Sequence, residues 1–353
     1  MSSTLVSSAS KYRPKDFSDM IGQDAIVKTL TNAIKKDDIP QALLFCGPRG
    51  VGKTSCARIL AKKINNLDEN FEYNIFELDA ASNNSVEDIR NITDQIRIPP
   101  QKGNYKVYII DEVHMLSNQA FNAFLKSLEE PPKHVIFILA TTEKNKIIPT
   151  ILSRCQIFDF KKVDLNSIIK LLEKICEEKK IEYDKDSLIH IAEKSDGSVR
   201  DSLSIFDRLV TFTNSKLNIS DVSMNLNILD FDTYFKLINE IEKKNIPSVL
   251  EIYDNIYNKG INDIEFLSGL NKHLRGVMIN GLYSTEKNDI KNDKLESKYL
   301  DFSKLLSQED IIFMIEIINE TLIHYQKIND KRIHVELCLM KLASLDSVKK
   351  KNS

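Results

Sequence analysis

Eight consecutive residues, Gly47-Pro-Arg-Gly-Val-Gly-Lys53-Thr54, constrain this chain more than any others. They follow a short apolar run, Ala42–Cys46, and open a segment of helical periodicity, Thr54–Ile64. A glycine-rich turn between a strand and a helix lets successive backbone N–H groups converge on an anion, because glycine tolerates the positive φ values such a turn demands. The helix N-terminus adds its positive dipole end. In this frame Gly47, Gly50 and Gly52 shape a phosphate cradle with Ser55 beside it. Lys53 reaches the terminal phosphates and Thr54 offers a hydroxyl to Mg²⁺. The whole chain has 10 glycines, and three of them lie in these eight residues, which argues against an incidental turn.

A second constraint is the run Val107-Tyr-Ile-Ile110-Asp111-Glu112. Four apolar residues in a row suit a strand buried on both faces, and two acids close it. In P-loop folds an acid at the end of a neighbouring strand holds Mg²⁺, which suits Asp111. A second carboxylate can orient or deprotonate the attacking water, which suits Glu112. The next apolar run, Val135–Ala140, ends in Thr141-Thr142, at the sheet edge where ligands of open α/β folds sit.

Short β-like runs at Ala42–Cys46, Ile75–Leu78, Lys106–Ile110, Val135–Ala140 and Gln156–Phe158 alternate with helical periodicity, so a parallel sheet with helices on both faces is expected. From Asp164 onward no strand is expected. Helices are expected at Leu165–Lys179, Asp186–Lys194 and Val199–Thr213, a small three-helix unit. Amphipathic segments follow near Thr233–Lys243, Ser248–Tyr257, Ile261–Leu282, Gln308–Tyr325 and Ile333–Leu345. Polar stretches at Asn214–Asn227 and Ser284–Ser297 read as connections, the second as a mobile loop. The expected domains are residues 1–162, 163–222 and 223–353. The helix beginning near Ser117 carries Phe121, Phe124, Leu125 and Leu128 on one face, a core pattern rather than an interface.

Composition excludes several classes. With 353 residues, 42% of them apolar, and 49 basic residues nearly cancelling 51 acidic ones, the chain is a core-forming globular protein rather than a disordered one. No run approaches the ~18 apolar residues of a spanning helix, so no membrane role and a cytoplasmic location are expected. Residues 1–220 carry 31 basic against 30 acidic residues, and residues 221–353 carry 18 against 21. Neither half is a basic nucleic-acid arm, so DNA contact must come from a local patch, with Arg90, Arg97, Lys102 and Lys106 as candidates. The five cysteines, Cys46, Cys56, Cys155, Cys176 and Cys338, are scattered and read as small buried apolar residues.

The motifs occur in a telling order: Lys11-Tyr-Arg-Pro14, Ile21-Gly-Gln-Asp24, the glycine loop, Glu77-Leu-Asp-Ala-Ala-Ser-Asn83, Asp111-Glu-Val-His114, Leu128-Glu-Glu-Pro-Pro132, Ala140-Thr-Thr142, Ser153-Arg-Cys155 and Gly197-Ser-Val-Arg200. This series resembles the AAA+ clamp-loader ATPases and, within them, the gamma/tau family of bacterial DNA polymerase III subunits. The resemblance is close over residues 11–213 and architectural beyond. It implies an α/β P-loop AAA+ module, a three-helix lid and an all-α C-terminal collar through which related subunits form a heteropentamer.

Carried over by residue, the resemblance implies that Lys53 and Thr54 bind phosphate and Mg²⁺, that Asp111 holds Mg²⁺ and that Glu112 activates water. Thr142 matches the sensor-1 position, Arg200 the sensor-2 position, and Arg154 the arginine finger that reaches a neighbour's ATP. Tyr12, Arg13, Pro14 and Ile21 match the segment that packs against adenine. The implied function is ATP-driven opening of a sliding clamp and its loading on primer-template DNA, with polymerase chemistry residing in another subunit of DNA polymerase III.

Two departures bear on this reading. Family members usually carry a four-cysteine zinc module after the P-loop helix, whereas Asn65–Asn74 contains no cysteine, so no zinc is expected. The sequence ends at Ser353 without a Pro-rich linker, so gamma-type loading alone is expected. The competing readings are another AAA+ motor of the branch-migration helicase type, which needs a DNA-binding module after the lid; a scaffold subunit without hydrolysis, disfavoured by the intact Lys53, Thr54, Asp111 and Glu112; and an archaeal or eukaryotic small clamp-loader subunit, separated by the Asp79–Asn83 box.

Overall fold

A computed structural model of the chain describes residues 7–65, 74–100, 103–213, 215–226, 229, 231–282 and 293–345. The chain divides into two compact units, residues 1–222 and 223–353.

The first unit begins with α1 (Ser8–Lys11) and α2 (Asp24–Lys35), then β1 (Ala42–Cys46) and α3 (Lys53–Ile64). It continues through β2 (Ile75–Asp79), α4 (Val86–Ile96), β3 (Lys106–Asp111), α5 (Asn118–Glu129), β4 (Val135–Thr141), α6 (Pro149–Leu152) and β5 (Gln156–Asp159). The five strands form one parallel sheet in the order β2-β3-β4-β1-β5. Every residue of β1 and β4 is buried, which matches the unbroken apolar character of central parallel strands.

Alternate side chains point to opposite faces of the sheet and build two cores. On one face Leu43, Phe45, Val107, Ile109, Ile136 and Ile138 meet Leu30 of α2 and Ile59 and Leu60 of α3. On the other, Leu44, Tyr108, Ile110, Phe137 and Leu139 meet Ile89 of α4 and Phe121, Phe124 and Leu128 of α5. Phe124 is fully buried and sits edge-on to Phe137 with centroids 5.0 Å apart, so the α5 stripe is core, as expected from its spacing.

Residues 163–225 add α7 (Leu165–Lys179), β6 (Glu182–Tyr183), α8 (Lys185–Lys194), α9 (Val199–Phe212), β7 (Lys216–Leu217) and α10 (Ile219–Asn225). The expected absence of strands after Asp164 is corrected by β6 and β7, a two-residue parallel ladder in which Glu182 pairs with Lys216. Such a ladder is too short to leave a periodic signature. The polar stretch 214–227 likewise contains α10, which buries Val222. Asp164 and Ser198 cap α7 and α9 by accepting from Ser167 N and Asp201 N.

The second unit is helical: α11 (Phe231–Glu242), α12 (Ile246–Asn258), α13 (Asp263–Leu282), α14 (Asp293–Leu305), α15 (Gln308–His324) and α16 (Lys331–Ala343). Leu237, Val249, Phe266, Leu270, Ile318 and Leu339 lie in one apolar core. Buried Asp263 accepts from Tyr253 Oη and Tyr325 Oη, each at 2.8 Å, and so ties the start of α13 to α12 and the end of α15. The expected linker at 284–297 is corrected in part, because α14 begins at Asp293; residues 283–292 lie outside the described set. Among the described residues, no helix is long and apolar enough to cross a membrane.

Candidate functional site

The glycine loop lies between β1 and α3. Gly52 takes φ 101° and precedes α3, so its N–H and those of the first helical turn are turned toward one point. Gly50 takes φ 75°, and a Cβ there would stand 2.1 Å from Ser198 Oγ. The start of α9 therefore lies directly against the loop, and Arg200 N donates to Gly50 O at 3.3 Å. Gly47, with φ 147°, backs onto Phe160. Ser55 and Lys53 are buried at the head of α3. Lys53 Nζ donates to Gly47 O at 2.7 Å and Pro48 O at 2.8 Å. Burial lowers the Lys53 pKa, and the nearby carboxylates of Glu112 and Asp111 work against that shift.

The acids expected beside the loop are there. Thr54 Oγ1 donates to Asp111 Oδ2 at 2.6 Å. Glu112 follows in the left-handed region, φ 47°, and its N–H donates to Asp111 Oδ1 at 2.9 Å. Thr142, just past β4, donates its hydroxyl to Glu112 Oε2 at 3.1 Å. Three of the residues singled out in sequence, Asp111, Glu112 and Thr142, are thus joined to Thr54 by hydrogen bonds along one edge of the sheet.

The N-terminal segment lies along the same site. Arg13 Nε donates to Ser55 Oγ at 3.3 Å. Burial lowers the Arg13 pKa, reinforced by the Arg58 and Arg200 cations and opposed by Glu77 and Asp111. Arg13, Arg200 and Lys53 therefore gather positive charge around the loop, while Arg58 is held by Glu77 through bonds of 2.7 and 2.5 Å. Met20 packs over Gly52, where a Cβ would stand 2.9 Å from its Cε. Pro14 and Ile21 are half-buried on this segment. Tyr12 turns toward the three-helix unit, its ring 5.1 and 5.7 Å from Lys11 Nζ and Lys179 Nζ. Burial, with Glu178 and Asp207 nearby, pushes its phenol up to about 12.

Arg154, beyond α6, does not meet the loop of its own chain's site through any of its hydrogen bonds. Its guanidinium donates to Glu129 Oε1 at 2.7 Å, Thr150 O at 2.7 Å and Ser153 Oγ at 3.3 Å. Of the DNA candidates, Arg90 and Arg97 are exposed, and Lys102 lies outside the described residues. Lys106 is a correction: it is 8% exposed, its Nζ lies 5.5 Å from the centre of the Phe76 ring and donates to Gln95 O, so it faces the protein interior. Among the described residues no group of three or more His, Cys, Asp or Glu side chains is placed to hold a metal.

Sequence reasoning assigned no role to His114 or Glu129, although both lay inside quoted motifs. Their partners, Glu143 and Arg154, are 29 and 25 residues away and meet them only through the fold. Nothing in the sequence signalled the anchoring of Ser8 by Asp207, whose Oδ2 accepts from Ser8 N at 2.6 Å.

A parallel sheet with the phosphate loop after β1, an acidic pair after β3, a hydroxyl after β4 and a three-helix unit against the loop together define a P-loop module of the AAA+ class. Thermotoga maritima RuvB, described as a Holliday junction branch migration motor, shares this fold with a TM-score of 0.50 at 22% identity, over 65% of this chain and 79% of that one. Family models match along the length: residues 22–164 the one described as DNA polymerase III, delta subunit; 167–215 DNA polymerase III clamp loader subunit, ATPase lid domain; and 219–353 DNA polymerase III subunits gamma and tau domain III. DNA polymerase III subunit gamma of Buchnera aphidicola (subspecies Baizongia pistaciae) is 32% identical over 96% of this chain and 97% of its own. DNA polymerase III subunit tau of Bacillus subtilis is 35% identical over 94% of this chain, and this chain spans 62% of that relative's length. The tau subunit of Escherichia coli K12 is 38% identical over 72% of this chain and 42% of its own. The chain belongs to the gamma/tau family of DNA polymerase III clamp-loader subunits.

Proposed function

We propose that this chain is an ATP-hydrolysing subunit of a clamp loader, acting in the cytoplasm with related subunits to open a sliding clamp and place it on primer-template DNA for DNA polymerase III. The observation that carries the proposal is the run of hydrogen bonds from Thr54 to Asp111, Glu112 and Thr142 beside the glycine loop. Residues 1–162 serve as the ATPase domain, 163–222 as the lid and 223–353 as the collar that assembles the heteropentamer.

Thr54 Oγ1 and Asp111 Oδ2 are hard oxygen donors that meet beside the loop, a donor set that suits Mg²⁺, and they would hold the ion there. When bound, Mg²⁺ neutralises charge on the transferring phosphate. The loop amides and Lys53 hold the phosphates in line. Glu112 accepts a proton from the attacking water as the terminal phosphate leaves ADP. Thr142 aims that carboxylate, and Arg200 follows the phosphates as the lid moves. Arg13 and the Tyr12–Ile21 segment receive the nucleoside. Arg154, held by Glu129 away from its own site, reaches the ATP of a neighbouring subunit, so turnover depends on assembly.

The rival branch-migration reading needs a DNA-binding wing after the lid. Among the described residues 223–345 there are helices and no strand, which favours a collar. The deciding experiment is steady-state ATP hydrolysis by the reconstituted complex with clamp and primed DNA, alongside Lys53→Ala and Arg154→Ala. Stimulation that both substitutions abolish supports loading. Brisk hydrolysis by the lone chain, indifferent to Arg154→Ala, refutes it.

A further inference from the structure

Glu112 occupies a left-handed backbone conformation that residues with a Cβ rarely adopt. Such a residue stays put only if its surroundings fix it. Its amide is bound to Asp111, its carbonyl accepts from Met115 N at 2.8 Å, and one carboxylate oxygen takes the Thr142 hydroxyl. His114 adds a further contact to the carboxylate, its Nδ1 lying 3.5 Å from Glu112 Oε2.

The His114 side chain is 6% exposed, and its two ring nitrogens face different elements. Nδ1 lies 3.1 Å from Thr141 Oγ1, and Nε2 lies 3.3 Å from Glu143 Oε1. Thr141 Oγ1 also accepts from Glu143 N at 3.0 Å, so Thr141 and Glu143, which hold the two ring nitrogens, are themselves joined. Glu143 is itself paired with exposed Lys146 at 2.9 Å. A continuous set of contacts therefore runs from Lys146, through Glu143 and His114, to Glu112. The same excursion between β4 and β5 also carries Arg154.

We propose that His114 is a positioning residue for Glu112, anchored by Glu143, and that the 143–148 loop sets the orientation of the carboxylate through this ring. The inference rests on the reading of Glu112 as the group that activates water. A ring pinned at both nitrogens cannot tilt unless Glu143 or Thr141 moves. A subunit or DNA contact that shifts the Lys144–Lys146 turn is thereby felt at the reacting carboxylate. Because neither His114 nor Glu143 lies among the groups that hold the phosphates, the effect falls on turnover and not on nucleotide affinity.

The test uses the assembled complex with clamp and primed DNA, measuring kcat for hydrolysis and, separately, the dissociation constant of a fluorescent non-hydrolysable nucleotide. His114→Gln and Glu143→Gln are each expected to lower kcat about tenfold or more, the scale of a misaligned catalytic group, with affinity unchanged within about twofold. Glu143→Asp, which keeps the carboxylate, should recover most of the loss. Glu143 is a surface residue, so Glu143→Gln reports even if His114→Gln folds poorly. Wild-type kcat in Glu143→Gln, or an affinity loss that matches the kcat loss, overturns the positioning role. Glu112→Gln separates the two readings: if it hydrolyses like wild type, the proposed catalytic site falls, whereas an inactive Glu112→Gln beside a fully active Glu143→Gln sinks the positioning role alone.

Discussion

Thr54 Oγ1 and Asp111 Oδ2, 57 residues apart, meet at 2.6 Å and join the first turn of α3 to the end of β3. The contact lies where phosphates held by the loop would need a cation. Asp111→Asn and Thr54→Ala should each remove the Mg²⁺ dependence of nucleotide binding and lower turnover by about 100-fold or more, the scale of losing one preorganised electrostatic group. Titrating a fluorescent nucleotide with and without Mg²⁺ checks this; retained Mg²⁺ dependence in both variants counts against the site.

Arg154 is expected to act only across a subunit boundary. Arg154→Ala should leave the nucleotide affinity of the isolated chain unchanged and lower turnover of the complex by about 10³-fold, as fingers supplied in trans do. The pair with Glu129 is partly exposed, so its loss should shift unfolding free energy by about 1 kcal/mol at most. An isolated-chain affinity that drops with Arg154→Ala would contradict the assignment.

The N-terminal segment is tied to the lid by Asp207, which takes both the amide and the hydroxyl of Ser8, and by Lys179 Nζ, which donates to Ser8 Oγ at 2.7 Å. Breaking bonds to a charged partner costs about 1.5–3 kcal/mol each when buried, and less here because Asp207 and Lys179 are about one-third exposed. Asp207→Ala should therefore free the segment ahead of Arg13, seen as faster proteolytic trimming, and weaken nucleotide binding through Arg13 and Ser55. Unchanged trimming kinetics would show that Asp207 does not hold the segment.

His273 in α13 packs against Tyr234, Phe235 and Tyr299, and burial pushes its pKa down to about 4. The unfolded chain, with an ordinary histidine, binds a proton near pH 6.5, so between about 6.5 and 4 it holds more protons than the folded one. The stability this neutral ring contributes is complete above pH 6.5 and drains away as the pH falls, by about 2 kcal/mol between pH 7 and 5. Denaturant unfolding of the full chain at the two pH values, compared with His273→Gln, reads the difference. Equal slopes in both proteins would remove His273 as the cause.

The five strands of the main sheet and the phosphate loop were legible because their signals are local. Four successive apolar residues before Asp111, three of them β-branched and one aromatic, suit a strand covered on both faces. The α5 stripe of Phe121, Phe124 and Leu128 was legible for the same reason. What escaped were facts about partners. Lys106 reads as a free cation in sequence, yet its ammonium lies over the Phe76 ring and serves the Gln95 carbonyl. α14 escaped because its apolar residues, such as Tyr299 and Phe302 packed on Phe235, are diluted among Lys, Asp and Ser. His114 stood in plain view, but its meaning depends on Glu143 across the β3–β4 boundary.

The strand order places β4 between the strand that ends in the phosphate loop and the strand that ends in the acids. Strands repeat every ~4.8 Å, so β4 holds those two strand ends about 10 Å apart as a rigid gauge. Thr142, standing at the tip of that gauge, sits at the midpoint of whatever spans the gap. The separation of the glycine loop from Asp111 and Glu112 is thus set by backbone hydrogen bonds within the sheet. Substitutions on the outer surfaces of the flanking helices leave that distance untouched.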